Sequence, residues 1–210
     1  MNPEETPLLV LVEGINDEWV LRGVLKRGRE LKFTPLSDAQ VEFRRHSSEV
    51  CTRGAEIVRT ISRRYGRFLL VWDYEGSAQQ AKGVAPSRAQ GIVQSQLNTL
   101  GMRDRAKAVV IAPELEIWLW SDLDAVAKAL GQPRTQIESL LDALAQTAGL
   151  TPEAQPKETL KRLASLCNDR ADSSLYERIT EQAKLDAWLR KHWSFKSLVR
   201  ALRRWFPLRA

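Results

Sequence analysis

The chain has 210 residues, 43% hydrophobic and 28% charged, with a formal net charge of +6. That length and composition support one substantial core in an ordinary soluble protein, and the basic balance suits an anionic partner such as nucleic acid without requiring one. Two distant cysteines, Cys51 and Cys167, with only His46 and His192 beside them, argue against a zinc site of Cys/His type, and no apolar run approaches the roughly 20 residues that a bilayer span needs.

The opening stretch "MNPEET" is acidic and carries no basic n-region, so no signal peptide is expected. Two lone thiols suit a reducing cytoplasm, the expected location. Leu8 to Val12 reads as a buried strand that stops at Glu13-Gly14. Asn16 is the expected N-cap of the next helix, Asp17 and Glu18 suit its positive end, and Val20, Leu21, Val24 and Leu25 give it an apolar face. "VEFRRH" alternates as a strand, and Glu49 to Tyr65 carries apolar residues at helical spacing. "RFLLVWD" is a second strongly apolar strand ending at Asp73. A polar loop, "YEGSAQQAKGVA", leads to a helix over Pro86 to Leu100, and "KAVVIAP" is a third buried strand stopped by Pro113. After Pro113 only helices are expected: "ELEIWLW", Leu123 to Leu130, Thr135 to Ala148, Lys157 to Cys167, Leu175 to Arg190 and Phe195 to Trp205, the last capped by Ser194. The expected architecture is a Rossmann-like α/β domain over residues 1–121, its mostly parallel sheet flanked by helices, with an all-helical extension over 122–210.

Ligands of parallel α/β sheets bind beyond the carboxyl ends of the strands. Three strands here end in acids: Glu13 with Asp17 after the first, Asp73 and Glu75 in "WDYEG", and Glu114 and Glu116 in "PELEIW". In extended chain, residues i and i+2 point the same way, so Asp73 and Glu75 could face one ion, with Gly14 and Gly76 letting the backbone turn beside it. Carboxylate oxygens suit Mg2+ or Mn2+, which can activate water at a phosphodiester. Singly, each acid reads as well as a helix cap or a solvated residue; together at one sheet edge they point to a cation, because crowded like charges are costly without one.

"LVEGINDEWVL" resembles the first motif of the TOPRIM fold, and "LLVWDYEG" is similar to its Asp-x-Asp motif. The pattern is closest to small stand-alone bacterial TOPRIM-like proteins that accompany ATPases in phage-defence loci, and it continues in "VIAPELEIWLWSD", "QPKETLKRL" and "LDAWLRKHWSFKSLVRAL". The resemblance implies Mg2+-dependent phosphodiester chemistry of the OLD nuclease type. By position, Glu13 matches the acid/base or metal-binding glutamate and Asp73 the first metal aspartate. Glu75 stands where the family has a second aspartate, one methylene longer and with altered reach. Asp17 and Glu116 are outer candidates, and Glu114 or Glu116 would complete the cluster. Lys157 would neutralise a phosphate, or is simply an exposed residue at a helix start.

Phe195, Leu198, Val199, Leu202, Trp205 and Phe206 form an apolar stripe, with Lys196, Arg200, Arg203 and Arg204 mainly on another face. This basic face, and Arg44 and Arg45 of "FRRHSSE", are candidate phosphate contacts or ordinary solvated surface. The expectation is therefore a metal-dependent nuclease acting on DNA or RNA, plausible in antiviral defence beside a partner ATPase and away from membranes, with a homo-oligomer left open. The alternative is a non-catalytic TOPRIM scaffold that docks on such an ATPase or on nucleic acid.

Overall fold

The computed structural model describes residues 7–46 and 49–208. The signal-peptide reading of Met1 to Thr6 therefore lies outside the described residues. The architecture is α/β. Strands β1 (Leu8–Val12), β2 (Val41–Arg45), β3 (Arg67–Asp73) and β4 (Ala106–Ile111) form one sheet in the order β2-β1-β3-β4, and every pairing is parallel.

β1, β3 and β4 are buried on both faces, which explains their continuous apolar runs, whereas the edge strand β2, Val41–Arg45, is largely half-buried. Period-two alternation then sorts them. Leu8, Val10, Val12, Leu69, Val71, Val109 and Ile111 face one core, whereas Leu9, Leu11, Phe68, Leu70, Trp72, Ala108 and Val110 face the other. The second face is covered by α2 (Val50–Ile61) and α4 (Pro86–Thr99) through Val50, Val58, Val93 and Leu97. The first is covered by α1 (Ile15–Lys26) through Val20, Leu21, Val24 and Leu25, and by the helices that follow β4. These are α5 (Glu116–Leu119), α6 (Leu123–Ala129), α7 (Arg134–Ala148), α8 (Pro156–Leu166), α9 (Ser173–Gln182), α10 (Leu185–Lys191) and α11 (Trp193–Trp205).

The helical half shares its core with α1 and the sheet. Gly23 of α1 lies against Thr180 of α9, where a Cβ would fall 2.7 Å from Thr180 Cγ2, so a side chain there would push the layers apart. Trp118, Trp188 and Phe195 pack ring to ring with centroids 5.0–6.1 Å apart. Phe195, Leu198, Val199 and Leu202 bury the inner face of α11, each contributing about 1.5–3 kcal/mol.

Several expectations are corrected. Gly14, not Asn16, is the N-cap of α1; Asn16 lies within the first turn, and the Asp17 carboxylate accepts the Gly14 N–H at 2.7 Å. Gly14 is extended, with φ −137°, so its backbone does not demand glycine, whereas Gly76 at φ 72° does use that freedom. α2 ends at Ile61 rather than Tyr65. The polar loop after β3 holds a short helix, α3 (Ala78–Ala81), capped by Ser77. The expected helix over Leu175 to Arg190 is two helices. Asp122 Oδ2 accepts the Lys184 N–H at 2.7 Å, which engages the backbone at the break. Ser194 is inside α11 rather than its cap: it is buried, and its Oγ accepts the Trp118 Nε1–H at 3.0 Å.

Candidate metal centre

β1, β3 and β4 are consecutive neighbours in the sheet, so their carboxyl ends lie side by side at strand spacing, about 4.8 Å apart. Each ends on an acid. Glu13 follows β1, Asp73 closes β3 opposite Ile111, and Glu114 and Glu116 follow the Pro113 that stops β4. Topology thus gathers residues about 100 positions apart at one edge of the sheet.

The side chains converge there. Glu13 Oε2 accepts the Asp73 N–H at 3.3 Å, and Asp73 Oδ1 accepts the Leu115 N–H at 2.8 Å. The carboxylate oxygens of Asp73, Glu114 and Glu116 lie within 4.8 Å of one another, a grouping that could hold a metal ion. A cavity of about 330 Å³ opens beside them, lined by Glu13, Asp17, Asp73 and Glu116, with Lys157 as its one cation among the described residues. Lys157, at the start of α8, lies 3.6 Å from Glu114.

Glu116 stands apart from the other acids in its burial and its bonding. It is 2% exposed. One carboxylate oxygen accepts a hydrogen bond from the buried Tyr176 hydroxyl of α9, and the other, Oε2, has no partner. Among the described residues it is the one buried carboxylate oxygen left unsatisfied. An unpaired buried oxygen of this kind costs about 1–3 kcal/mol or more for a charged group, a cost that cation coordination would remove.

Protonation tells the same story. Burial, then the neighbouring Asp17 charge, raises the Glu13 carboxyl to about 7 against the pull of the Asp73 amide. Burial and Glu116 raise Asp17 to about 6 against its bond to the Gly14 amide. Asp73 is pushed well above the usual carboxylate range by burial and by Asp17, Glu116 and Glu13. Burial and Glu116 raise Glu114 despite Lys157. Lys157 loses some of its charge preference to burial, but the surrounding acids more than restore it and hold the ammonium above its usual range. These carboxyls resist being ionised together, and a divalent cation would reverse that resistance.

Of the residues that the sequence singles out, Glu13, Asp17, Asp73, Glu114, Glu116 and Lys157 meet at this edge. Glu75 does not join the trio. β3 ends at Asp73, so the i, i+2 rule for extended chain no longer applies, and Glu75 is exposed in the turn with its carboxylate held by Gln80 Nε2 at 2.7 Å. Tyr176 was not foreseeable: it acts from 60 residues beyond Glu116, and nothing in its local sequence marks it.

The basic candidates divide. Arg44 is tied to Glu42 at 2.8 Å and donates to Tyr65, and Arg45 lies 3.6 Å from Glu18. Arg203 donates Nε–H to the Leu31 carbonyl at 2.7 Å, a structural bond rather than a free contact. Lys196, Arg200 and Arg204 are exposed on α11. Among the described residues no helix is long and apolar enough to cross a membrane. Compared with known family models, curated proteins and solved structures, the chain matches none.

Proposed function

We propose that the chain is a TOPRIM-like nuclease or nuclease subunit that uses Mg2+ or Mn2+ to cleave phosphodiester bonds in DNA or RNA. The observation that carries the reading is the unpartnered, buried Oε2 of Glu116, a residue whose carboxylate groups with those of Asp73 and Glu114. An all-oxygen carboxylate set matches hard divalent cations. Asp73, Glu114 and Glu116 would hold the ion, which supplies activation of water and neutralisation of charge on the phosphate.

The protein's own groups fill the remaining roles. Glu13, with its carboxyl near 7, is poised to take a proton at neutral pH, and its bond to the Asp73 amide fixes its direction. Lys157 remains an ammonium beside the acids and can pair with a non-bridging phosphate oxygen. Tyr176 orients Glu116 from behind. A role beside an ATPase in antiviral defence is supported by the sequence resemblance alone.

The test is cleavage of supercoiled plasmid, single-stranded DNA and RNA with Mg2+ or Mn2+. The reading expects EDTA-sensitive cleavage that Asp73→Asn abolishes while circular dichroism stays unchanged. A folded, metal-binding wild type that cuts none of the three substrates would leave the non-catalytic scaffold as the better account.

A further inference from the structure

The opposite edge of the sheet carries the opposite charge. Where β4 begins, a cleft of about 350 Å³ is lined by Arg103, Lys107, Arg200 and Arg204 together with the amides Gln94 and Asn98. Among the described residues no carboxylate lines it. Arg204 has only a loose contact, 3.7 Å, with the exposed Asp104, and Arg103, Lys107 and Arg200 have neither ion pair nor side-chain hydrogen bond among the described residues. The Lys107 ammonium is held below its usual range by burial and by Arg200 and Arg204. Four cations facing one cleft repel each other, and a polyanion would relieve that repulsion.

α11 links this cleft to the metal edge. Its first turn is pinned beside α5 by the Trp118–Ser194 bond, two residues from Glu116. Its last turn is pinned at the β4 entrance, where Trp205 Nε1–H donates to the Asp104 carbonyl at 2.8 Å. Along the outward face, Trp193, Ser197, Arg200 and Arg204 follow one another at helical spacing over about 16 Å, with exposed Lys196 alongside. Trp193 is 43% exposed, unlike its buried neighbour Phe195.

We propose that this face of α11, with Arg103 and Lys107, is a track for the phosphate backbone of single-stranded nucleic acid, running from the metal edge to the far side of the sheet. The row is one helix wide, which fits one strand rather than two. An exposed indole can stack on an unpaired base, whereas bases in a duplex already stack on each other. The proposal rests on the nuclease reading only for the class of substrate; the binding itself needs no metal.

The experiment is fluorescence anisotropy of a labelled 20-nucleotide single strand with the full chain, in EDTA at about 0.1 M salt. Arg103→Glu with Arg200→Glu, both at exposed positions, is expected to weaken binding at least tenfold and to flatten the salt dependence, each lost phosphate contact removing about 0.7 from the log–log slope. Trp193→Ala is expected to weaken it several-fold, and a duplex of the same sequence to bind more weakly than the single strand. Arg134→Glu, which alters an exposed arginine on α7, should stay within about twofold of wild type. Unchanged binding in the double variant, equal loss in Arg134→Glu, or displacement of the strand by millimolar inorganic phosphate at constant ionic strength would overturn the track. Because no cleavage is read, a failed nuclease assay and a failed binding assay remain separate results.

Discussion

The two edges of one sheet differ more than any other two regions of this molecule. At the carboxyl edge, acids from three strand ends crowd a cavity with one lysine among them and one oxygen left bare. At the amino edge, four cations line a cleft that has no acid among the described residues. The backbone of Lys107 and that of Ile111, the partner of Asp73, are separated by about 13 Å of strand. Each edge is electrostatically frustrated alone, and each would be relieved by a ligand of opposite sign. The difference teaches that the fold stores unfavourable charge of opposite sign at its two edges, and that the ligands able to relieve them would differ: a compact cation at one edge, an anion at the other.

The largest expected effect comes from removing a charge at the crowded edge. Asp73→Asn keeps an oxygen for the Leu115 amide but removes a metal ligand. Metal affinity should fall beyond the roughly 10- to 100-fold typical of outer-shell changes, measured by calorimetric titration with Mn2+. The metal-free variant should melt higher than metal-free wild type, because the amide carries none of the cost of a buried carboxyl that its surroundings keep from ionising. A lower melting temperature would mean that the acids are not in conflict.

Next in size is the response to the ion itself. At a metal concentration 100 times Kd, the folded state gains about 2.7 kcal/mol, or about 5–10 °C for a chain of this length. The same response should depend on pH. Glu13 and Asp17 have folded values raised to about 7 and about 6, above their ordinary carboxyl values, so the folded state holds more protons than the unfolded state in that interval. Their contribution therefore falls as pH rises from about 4 to 7, and thermal melts in EDTA should show that loss. Saturating Mn2+ should abolish it, whereas variants of the basic edge should leave it in place.

Tyr176→Phe is a milder cut. It removes the hydroxyl that holds Glu116 while keeping the ring, and should weaken Mn2+ binding about tenfold in the same titration. The smallest effect is expected at Glu75→Gln, within about twofold of wild type. A large loss there would restore the paired Asp-x-Glu reading and displace the trio of Asp73, Glu114 and Glu116.

That contrast also shows what was legible in the sequence. β1, β3 and β4 were readable because strands buried on both faces need unbroken apolar runs, and the acids stand out where those runs stop. Glu75 misled because a spacing rule for extended chain was carried past the last strand residue into a turn. The roles of Asn16 and Ser194 were misjudged because both have cap chemistry, yet cap position is set by where the backbone leaves the strand or the preceding helix. Tyr176, Arg103 and Lys107 were out of reach: each joins its site through the packing of elements far apart in the chain, and no local pattern encodes that packing.

The most direct measurement is anomalous scattering from crystals soaked in Mn2+. The account predicts one strong peak within about 2.5 Å of carboxylate oxygens from Asp73, Glu114 and Glu116, close to Glu13 and Lys157. No peak at that edge at saturating Mn2+, or a peak held by Glu75 and Gln80 instead, would contradict it.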